Sequence, residues 1–285
     1  LSRAYRVLVT DVDGTLLGPS GEIDPRDAAA VRELLARDVA VTICTGRMFS
    51  GTRHLALQLG LDAPIACVDG SHIVHAPSGR ELSAAPLVSD AARALLDVLV
   101  EFGPAAFAYS NDQVFHTPNG AEYTDYVRTW SERLNEVADL HEDVDWHAED
   151  SRVTAVVALG TEKQIRRSAE ALSERARNLV QSATFPAFRA SRRGAGTTWG
   201  MLVRAHGVDK GTAIEWLSRH YDCSVDEIVT LGDWLNDVPM LRRAGLSFAM
   251  AQAPDEVKSA AKEVLEADSW SGGAIAEAAA RAGLL

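Results

Sequence analysis

Short, unbroken apolar runs recur along the chain, and each ends abruptly in polar residues. Near the start they are Val7-Leu8-Val9, Val39-Ala40-Val41-Thr42-Ile43-Cys44 and Pro64-Ile65-Ala66-Cys67-Val68; Ile228-Val229-Thr230-Leu231 and Ser247-Phe248-Ala249-Met250 lie near the end. Runs without alternation are what strands covered on both faces look like. Helical patterns separate them. Asp24-Pro25 reads as an N-cap followed by proline at the first helical position, and Ala28 to Ala36 carries Val31, Leu34 and Leu35 on one face. Ser50 to Gly60 reads as a second helix. Strand, helix, strand is a βαβ unit, which predicts a parallel sheet. The pattern resumes late in the chain. There Asp209 caps a helix from Lys210 to Tyr221, and helices follow from Val238 to about Gly245, Pro254 to Lys262 and Gly272 to Ala282.

Between Ala84-Ala85-Pro86, a candidate linker, and about Arg204 the texture differs. Ser89 to Phe102 reads as a helix capped by Ser89 or Asp90. Ala105 to Tyr109 and Val114 to Thr117 read as a hairpin turning at Asn111-Asp112. Ala121 to Val137 has the spacing of a helix, with Tyr123, Tyr126, Val127, Trp130 and Leu134 as its apolar stripe. A strand from Val153 to Leu159, a helix from Glu162 to Arg177 and strands over Asn178–Ala183 and Trp199–Val203 complete a compact α+β unit. Before the linker, Ile73-Val74-His75 and Glu81-Leu82 suggest another hairpin. A chain of 285 residues is long enough for two domains with ample cores.

Charge and cysteine content narrow the function. With 28 Lys and Arg against 40 Asp and Glu, the net charge is −12, which argues against a nucleic-acid partner. The three cysteines, Cys44, Cys67 and Cys223, form no C-x-x-C pair, so a disulfide framework or zinc site is not expected and a cytoplasmic setting is. Cys44 and Cys67 sit in apolar runs and read as core. No apolar run is long enough for a membrane span, and no signal region opens the chain. His141 and His147 have no metal-ligand spacing and read as surface or loop residues. Arg189, Arg192 and Arg193 read as a solvated basic loop.

The chemistry lies where the strands end. The first run ends in Asp11-Val12-Asp13-Gly14-Thr15. A turn explains one Asp and the Gly, but not a second Asp at the strand tip. Two carboxylates this close repel unless a cation separates them or one holds a proton. The stretch therefore suggests Mg²⁺ binding, carboxylate chemistry, or both. The second run ends in Thr45-Gly46-Arg47, a hydroxyl, a flexible backbone and a guanidinium suited to a phosphate oxygen. Lys210 occupies a first helical turn, where the helix dipole disfavours it. The fourth run ends in Gly232-Asp233-Trp234-Leu235-Asn236-Asp237. Ligands of open parallel sheets bind outside the carboxyl ends of the strands, which would gather Asp11, Asp13, Thr45, Arg47, Lys210, Asp233, Asn236 and Asp237. Oxygen-rich sites of this kind suit Mg²⁺, and a carboxylate can itself attack phosphorus.

These four motifs, in this order and spacing, resemble those of the haloacid dehalogenase-like phosphohydrolase superfamily. The insertion of about 120 residues between the second and third resembles the class IIB cap of its Cof-type branch. The resemblance covers the whole chain. It implies an α/β fold: a Rossmann-like parallel-sheet core over 1–84 and 205–285, with an inserted α+β cap domain over 85–204. It implies a Mg²⁺-dependent phosphatase acting on a small phosphorylated metabolite, sugar phosphates foremost, through an aspartyl-phosphate. Asp11 would be the nucleophile and Asp13 the general acid/base. Thr45 and Lys210 would hold the phosphoryl group, with Gly46, Arg47 and Asn236 on substrate or phosphate. Asp11, Asp13, Asp233 and Asp237 would surround the metal. A phosphomutase or phosphotransferase would use the same intermediate, and a regulator could keep the site only to bind a phospholigand. A receiver-type signalling domain is excluded by length and motif order. One departure stands out: Asp69-Gly70-Ser71 replaces the branch's usual Asn-Gly-Ala. Asp69 is expected to bond its own turn's backbone; the alternative is an extra negative charge near the site that alters which leaving group is welcome.

Overall fold

The computed structural model describes residues 5–144, 146, 152–187 and 198–285. It divides into two compact units. One comprises Leu1–Gly46, Arg53–Leu82 and Asp209–Leu285; the other comprises Arg47–Thr52 and Ser83–Val208. The expected basic loop of Arg189, Arg192 and Arg193, and His147, lie outside the described residues.

In chain order, the first unit begins with β1 (Val7–Thr10), α1 (Pro25–Ala36), β2 (Ala40–Ile43), α2 (Arg53–Gln58), β3 (Pro64–Cys67), β4 (His72–His75) and β5 (Glu81–Ala84). Asp24 caps α1 by accepting from the Arg26 N–H, with Pro25 at the first helical position as expected. α2 is shorter than Ser50 to Gly60, and residues 47–52 group with the other unit.

The inserted unit runs α3 (Ser89–Phe102), β6 (Ala105–Ser110), β7 (Gln113–His116), α4 (Thr124–Val127), β8 (Leu134–Glu136), α5 (Leu140–Asp143), β9 (Val153–Gly160), α6 (Glu162–Arg175), β10 (Val180–Pro186) and β11 (Trp199–Ala205). Its sheet order is β10-β11-β9-β6-β7-β8. Leu95, Leu96 and Leu99 of α3 and Ile165 and Leu172 of α6 pack on Val156, Ala158, Met201 and Val203 of that sheet. α3 has the expected span, but its N-cap is Val88, with no side-chain hydrogen bond, and neither Ser89 nor Asp90. The long helix expected over Ala121 to Val137 does not form. Only a 3₁₀ turn, Pro118–Tyr123, and the four-residue α4 do. Leu134, Asn135 and Glu136 instead pair in parallel with Val114, Phe115 and His116. The helical spacing of Tyr126 and Trp130 reflects one real turn, their rings meeting edge-on at 4.5 Å. His141 is exposed on α5, as expected.

The chain then completes the first unit with α7 (Lys210–His220), β12 (Ile228–Gly232), α8 (Val238–Arg243), β13 (Leu246–Ala249), α9 (Asp255–Ala260), β14 (Glu263–Val264) and α10 (Ala274–Arg281). The sheet order is β14-β13-β12-β1-β2, and every pairing is parallel. β14, like β8 in the inserted unit, was not anticipated. β1 is central and buried along its length. Its side chains, with Ile214 and Leu217 of α7 and Met240 of α8, make one core cluster. β3 joins beyond β2 through a parallel bridge of Cys44 to Ala66, then pairs antiparallel with β4. Cys44 and Cys67 are buried, as their apolar runs implied. Among the described residues, no helix is long and apolar enough to cross a membrane.

Candidate active site

Register decides which residues meet. Thr10, the last residue of β1, is level with Leu231 of β12 and Ile43 of β2. The ladder runs one residue further, with Asp11 N donating to Leu231 O at 3.0 Å and Cys44 N to Thr10 O at 2.9 Å. The segments opening at Asp11, Thr45 and Asp233 therefore leave the sheet side by side.

Lys210 is the centre of the assembly. Its side chain is fully buried, and Nζ lies 2.6 Å from Asp11 Oδ1, 2.5 Å from Asp237 Oδ1 and 4.0 Å from Asp69 Oδ1. These carboxylates answer the dipole objection to a lysine in a first helical turn. Asp209 anchors that turn, accepting from Thr212 N at 2.9 Å while its own N–H donates to Thr212 Oγ1. Burial alone would strip Lys210 of its proton, but Asp11, then Asp237 and Asp69, hold its pKa well above the ordinary lysine value. Burial, helped by repulsion from Asp237, Asp233 and Asp13, pushes Asp11 well up against the pull of Lys210. The two shifts differ in origin: neighbouring carboxylates raise Lys210 against its burial, whereas burial itself leads for Asp11 and the surplus of carboxylates over cations adds to it.

Asp233 carries the same imbalance. Burial and then Asp237 push it up to about 7, opposed by Lys210 and by hydrogen bonds from Thr15 and Gln252. Thr15 Oγ1 donates to Asp233 Oδ1 at 3.3 Å. Gln252 Nε2 donates to Gly14 O at 2.8 Å and reaches Asp233 Oδ2 at 3.5 Å. Gly14 has φ +85°, and a Cβ there would collide with the Asp233 carboxylate, so only glycine fits both demands. Asp237 Oδ2 accepts from Asp233 N and Trp234 N at 2.8 and 3.0 Å, which folds the loop back on itself. One carboxylate thus clamps the Asp233 loop and Lys210 together.

Thr45 is buried; its N–H donates to Ala66 O and its carbonyl accepts from Asp69 N, both at 2.8 Å. Gly46 lies against Asp69 and Asn236, since a Cβ there would meet Asp69 Oδ1 at 3.4 Å and Asn236 Nδ2 at 3.8 Å. Asp13 is exposed, and close enough for its charge to act on Asp11. Arg47 is grouped with the inserted unit, where Nη1 donates to Gly51 O at 3.4 Å, so this unit does not assemble it with the others. Asp69 reaches beyond its own turn: Oδ1 accepts from Asn236 Nδ2 at 2.9 Å, across 167 residues of sequence.

Three residues at the site escaped the sequence reading in these roles. Thr15 was quoted only as part of its motif, and Asp69 as a turn residue or an extra charge near the site, not as a partner of Asn236. Gln252 sits just past the tip of β13, and the strand-end rule applied there too would have found it.

Asp11, Asp233 and Asp237 each offer an oxygen within 4.8 Å of the others. An all-oxygen, carboxylate-rich set suits a hard divalent cation and not a soft one. It would also supply the positive charge the cluster lacks.

The family model of the haloacid dehalogenase-like hydrolases matches residues 8–278. An HMP-PP phosphatase of Serratia proteamaculans is 26% identical over 255 residues, covering 90% of this chain and 87% of that protein. The pyridoxal phosphate phosphatase YbhA of Escherichia coli is 25% identical over 267 residues, covering 91% and 93%. Among solved structures, a haloacid dehalogenase-like hydrolase of Bacteroides thetaiotaomicron superposes with a TM-score of 0.81 at 18% identity, over 97% of this chain and 99% of that one. A sugar phosphatase described as HAD subclass IIB superposes with a TM-score of 0.77 at 19% identity, over 98% and 100%. With the carboxylates of its first and last motifs gathered around Lys210 and the family's model matched almost end to end, the chain belongs to the haloacid dehalogenase-like hydrolases.

Proposed function

We propose that the chain is a magnesium-dependent phosphatase of small phosphorylated metabolites, sugar phosphates foremost, working through an aspartyl-phosphate. The observation that carries this is the buried Lys210 ammonium held between Asp11 and Asp237, beside an acidic trio able to take a cation. Its class is phosphoric monoester hydrolase, which the relatives named as phosphatases support.

Asp11 is held by Lys210 through Oδ1, and its carboxylate attacks phosphorus. The new O–P bond forms as the bond to the leaving oxygen breaks, and Asp13 gives that oxygen its proton. Asp13 then takes a proton from water, which attacks phosphorus, frees inorganic phosphate and restores Asp11. Thr45, Gly46 and Asn236 orient the phosphoryl oxygens, while Lys210 balances charge shared between Asp11 and phosphate. Asp11 and Asp233, with Asp237 behind them and Asp13 adjoining, would hold Mg²⁺, which screens carboxylate from phosphate and stabilises charge on the transferring oxygens. These residues other than Arg47 belong to one unit, which supports reading 1–84 and 205–285 as catalytic core and 85–204 as a substrate-selecting cap domain. Three cysteines with no C-x-x-C pair suit a cytoplasmic setting.

The test is a panel of phosphate monoesters with and without Mg²⁺. Wild type should release inorganic phosphate only with the ion, and Asp11→Asn should lose at least about 10³-fold in kcat, the scale on which losing a nucleophile acts. Full activity in Asp11→Asn would defeat the reading, and a rearranged phosphosugar would redirect it to a mutase.

A further inference from the structure

The turn after β3 is costly in a way its position does not explain. Val68, Asp69 and Gly70 have φ of +50°, +51° and +97°, three consecutive residues on the left-handed side. Glycine accepts this freely and Asp tolerates it, but a β-branched valine does not. Such conformations persist where their surroundings over-determine them, and they cluster at functional sites. Here the surroundings are explicit. Asp69 N is tied to Thr45 O at 2.8 Å. Gly70 presses on the start of α7, where a Cβ would come to 2.9 Å from Asp209 O. What the turn delivers is a carboxylate, 1% exposed, in contact with Asn236 Nδ2 and beside Gly46. Lys210 already has closer partners in Asp11 and Asp237, so Asp69 is not needed to neutralise it.

We infer that Asp69 is a positioning residue for phosphate, acting through Asn236. A carboxylate is an acceptor only, so it admits just the NH₂ end of the Asn236 amide and forbids the flipped orientation. An asparagine at 69 could pair with either end. The charged residue thus fixes which way Asn236 presents its remaining donor and its carbonyl, and the strained turn holds that choice. This rests on the phosphatase reading in which Asn236 binds the phosphoryl group.

The experiment is calorimetric titration of inorganic phosphate, with Mg²⁺ present, into wild type, Asp69→Ala, Asp69→Asn, Asn236→Ala and the double variant Asp69→Ala/Asn236→Ala, alongside steady-state kinetics and thermal melts. Asp69→Ala should weaken phosphate at least fivefold, and Asp69→Asn should fall between it and wild type. In the Asn236→Ala background the Asp69→Ala change should add less than twofold, because its effect passes through the amide already removed. Melting temperature should fall in Asp69→Ala, because alanine takes the left-handed turn less readily than Asp, and should hold in Asp69→Asn, which keeps both the turn and an acceptor. Unchanged phosphate affinity in both Asp69 variants, losses that multiply in the double variant, or a lower melting temperature as the sole effect would overturn the inference. Were wild type to turn over no phosphate monoester, the phosphatase reading itself would fall; normal wild-type turnover with indifferent Asp69 variants would sink only the role of Asp69.

Discussion

At the scale of single residues, the site is defined by an unpaid charge. Lys210 faces Asp11, Asp237 and Asp69, and Asp233 adds to the excess. The consequence for Asp233 can be followed through pH. Its carboxyl is raised to about 7 in the folded protein, so the fold holds a proton there that the unfolded chain releases near 4. The stability this proton brings is full below the unfolded value and is lost as pH climbs through about 7. Metal-free wild type should therefore fall behind Asp233→Asn as pH rises from 4 to 8, by ~3 kcal/mol at the upper end. Urea unfolding of both proteins in a chelating buffer reads this directly. Mg²⁺ competes with that proton, so it should stabilise wild type more at pH 8 than at pH 6 and leave Asp233→Asn little changed.

At the scale of elements, α10 shows how long-range partners complete local structure. Its own N-cap is Gly273, with no side chain to offer. Asp27, in the first turn of α1, supplies one instead: Oδ2 accepts from Gly273 N at 3.1 Å and Oδ1 from Ala276 N at 3.0 Å. One buried carboxylate thus faces the positive ends of two helices. Asp27→Ala should lower unfolding free energy by ~1–3 kcal/mol without touching the strand tips, and Asp27→Asn, which keeps one acceptor, should lose less. Equilibrium denaturation of the two variants checks both. This borrowed cap also marks where sequence reading stops. Asp24 before Pro25 could be read because cap and helix are adjacent. Strands buried on both faces could be read because nothing else needs such runs, and polar residues at their tips followed from them. The residues over Ala121 to Val137 misled because periodicity is local, while Leu134 to Glu136 take their partners from β7. The contact of Asp69 with Asn236 was illegible for a related reason: the partners are 167 residues apart, and no side-chain pattern announces the left-handed backbone at Val68 and Asp69.

At the scale of the molecule, the net charge of −12 opposes any dianionic substrate before the site can offer its one lysine. Screening that field should help. Raising NaCl from about 20 to 200 mM, at saturating Mg²⁺, should increase kcat/KM for a phosphate monoester by about twofold, while a neutral leaving group should make no difference to the trend. Stopped-time phosphate release at several ionic strengths measures it; a fall in kcat/KM would show that local positive potential governs encounter. The sheet order has another consequence, for how the protein is made. β1 lies between β2 and β12, and β12 emerges more than two hundred residues later, after the whole inserted unit. On the ribosome, one edge of the most apolar strand in the sheet stays open through that interval, some tens of seconds at ordinary elongation rates. The inserted unit, complete in its own sheet and core, can fold first, whereas nascent chains that stop before Ile228 expose Val7 to Thr10 to any strand nearby. A protein built this way depends on its translation finishing, and truncated chains should be prime clients for chaperones.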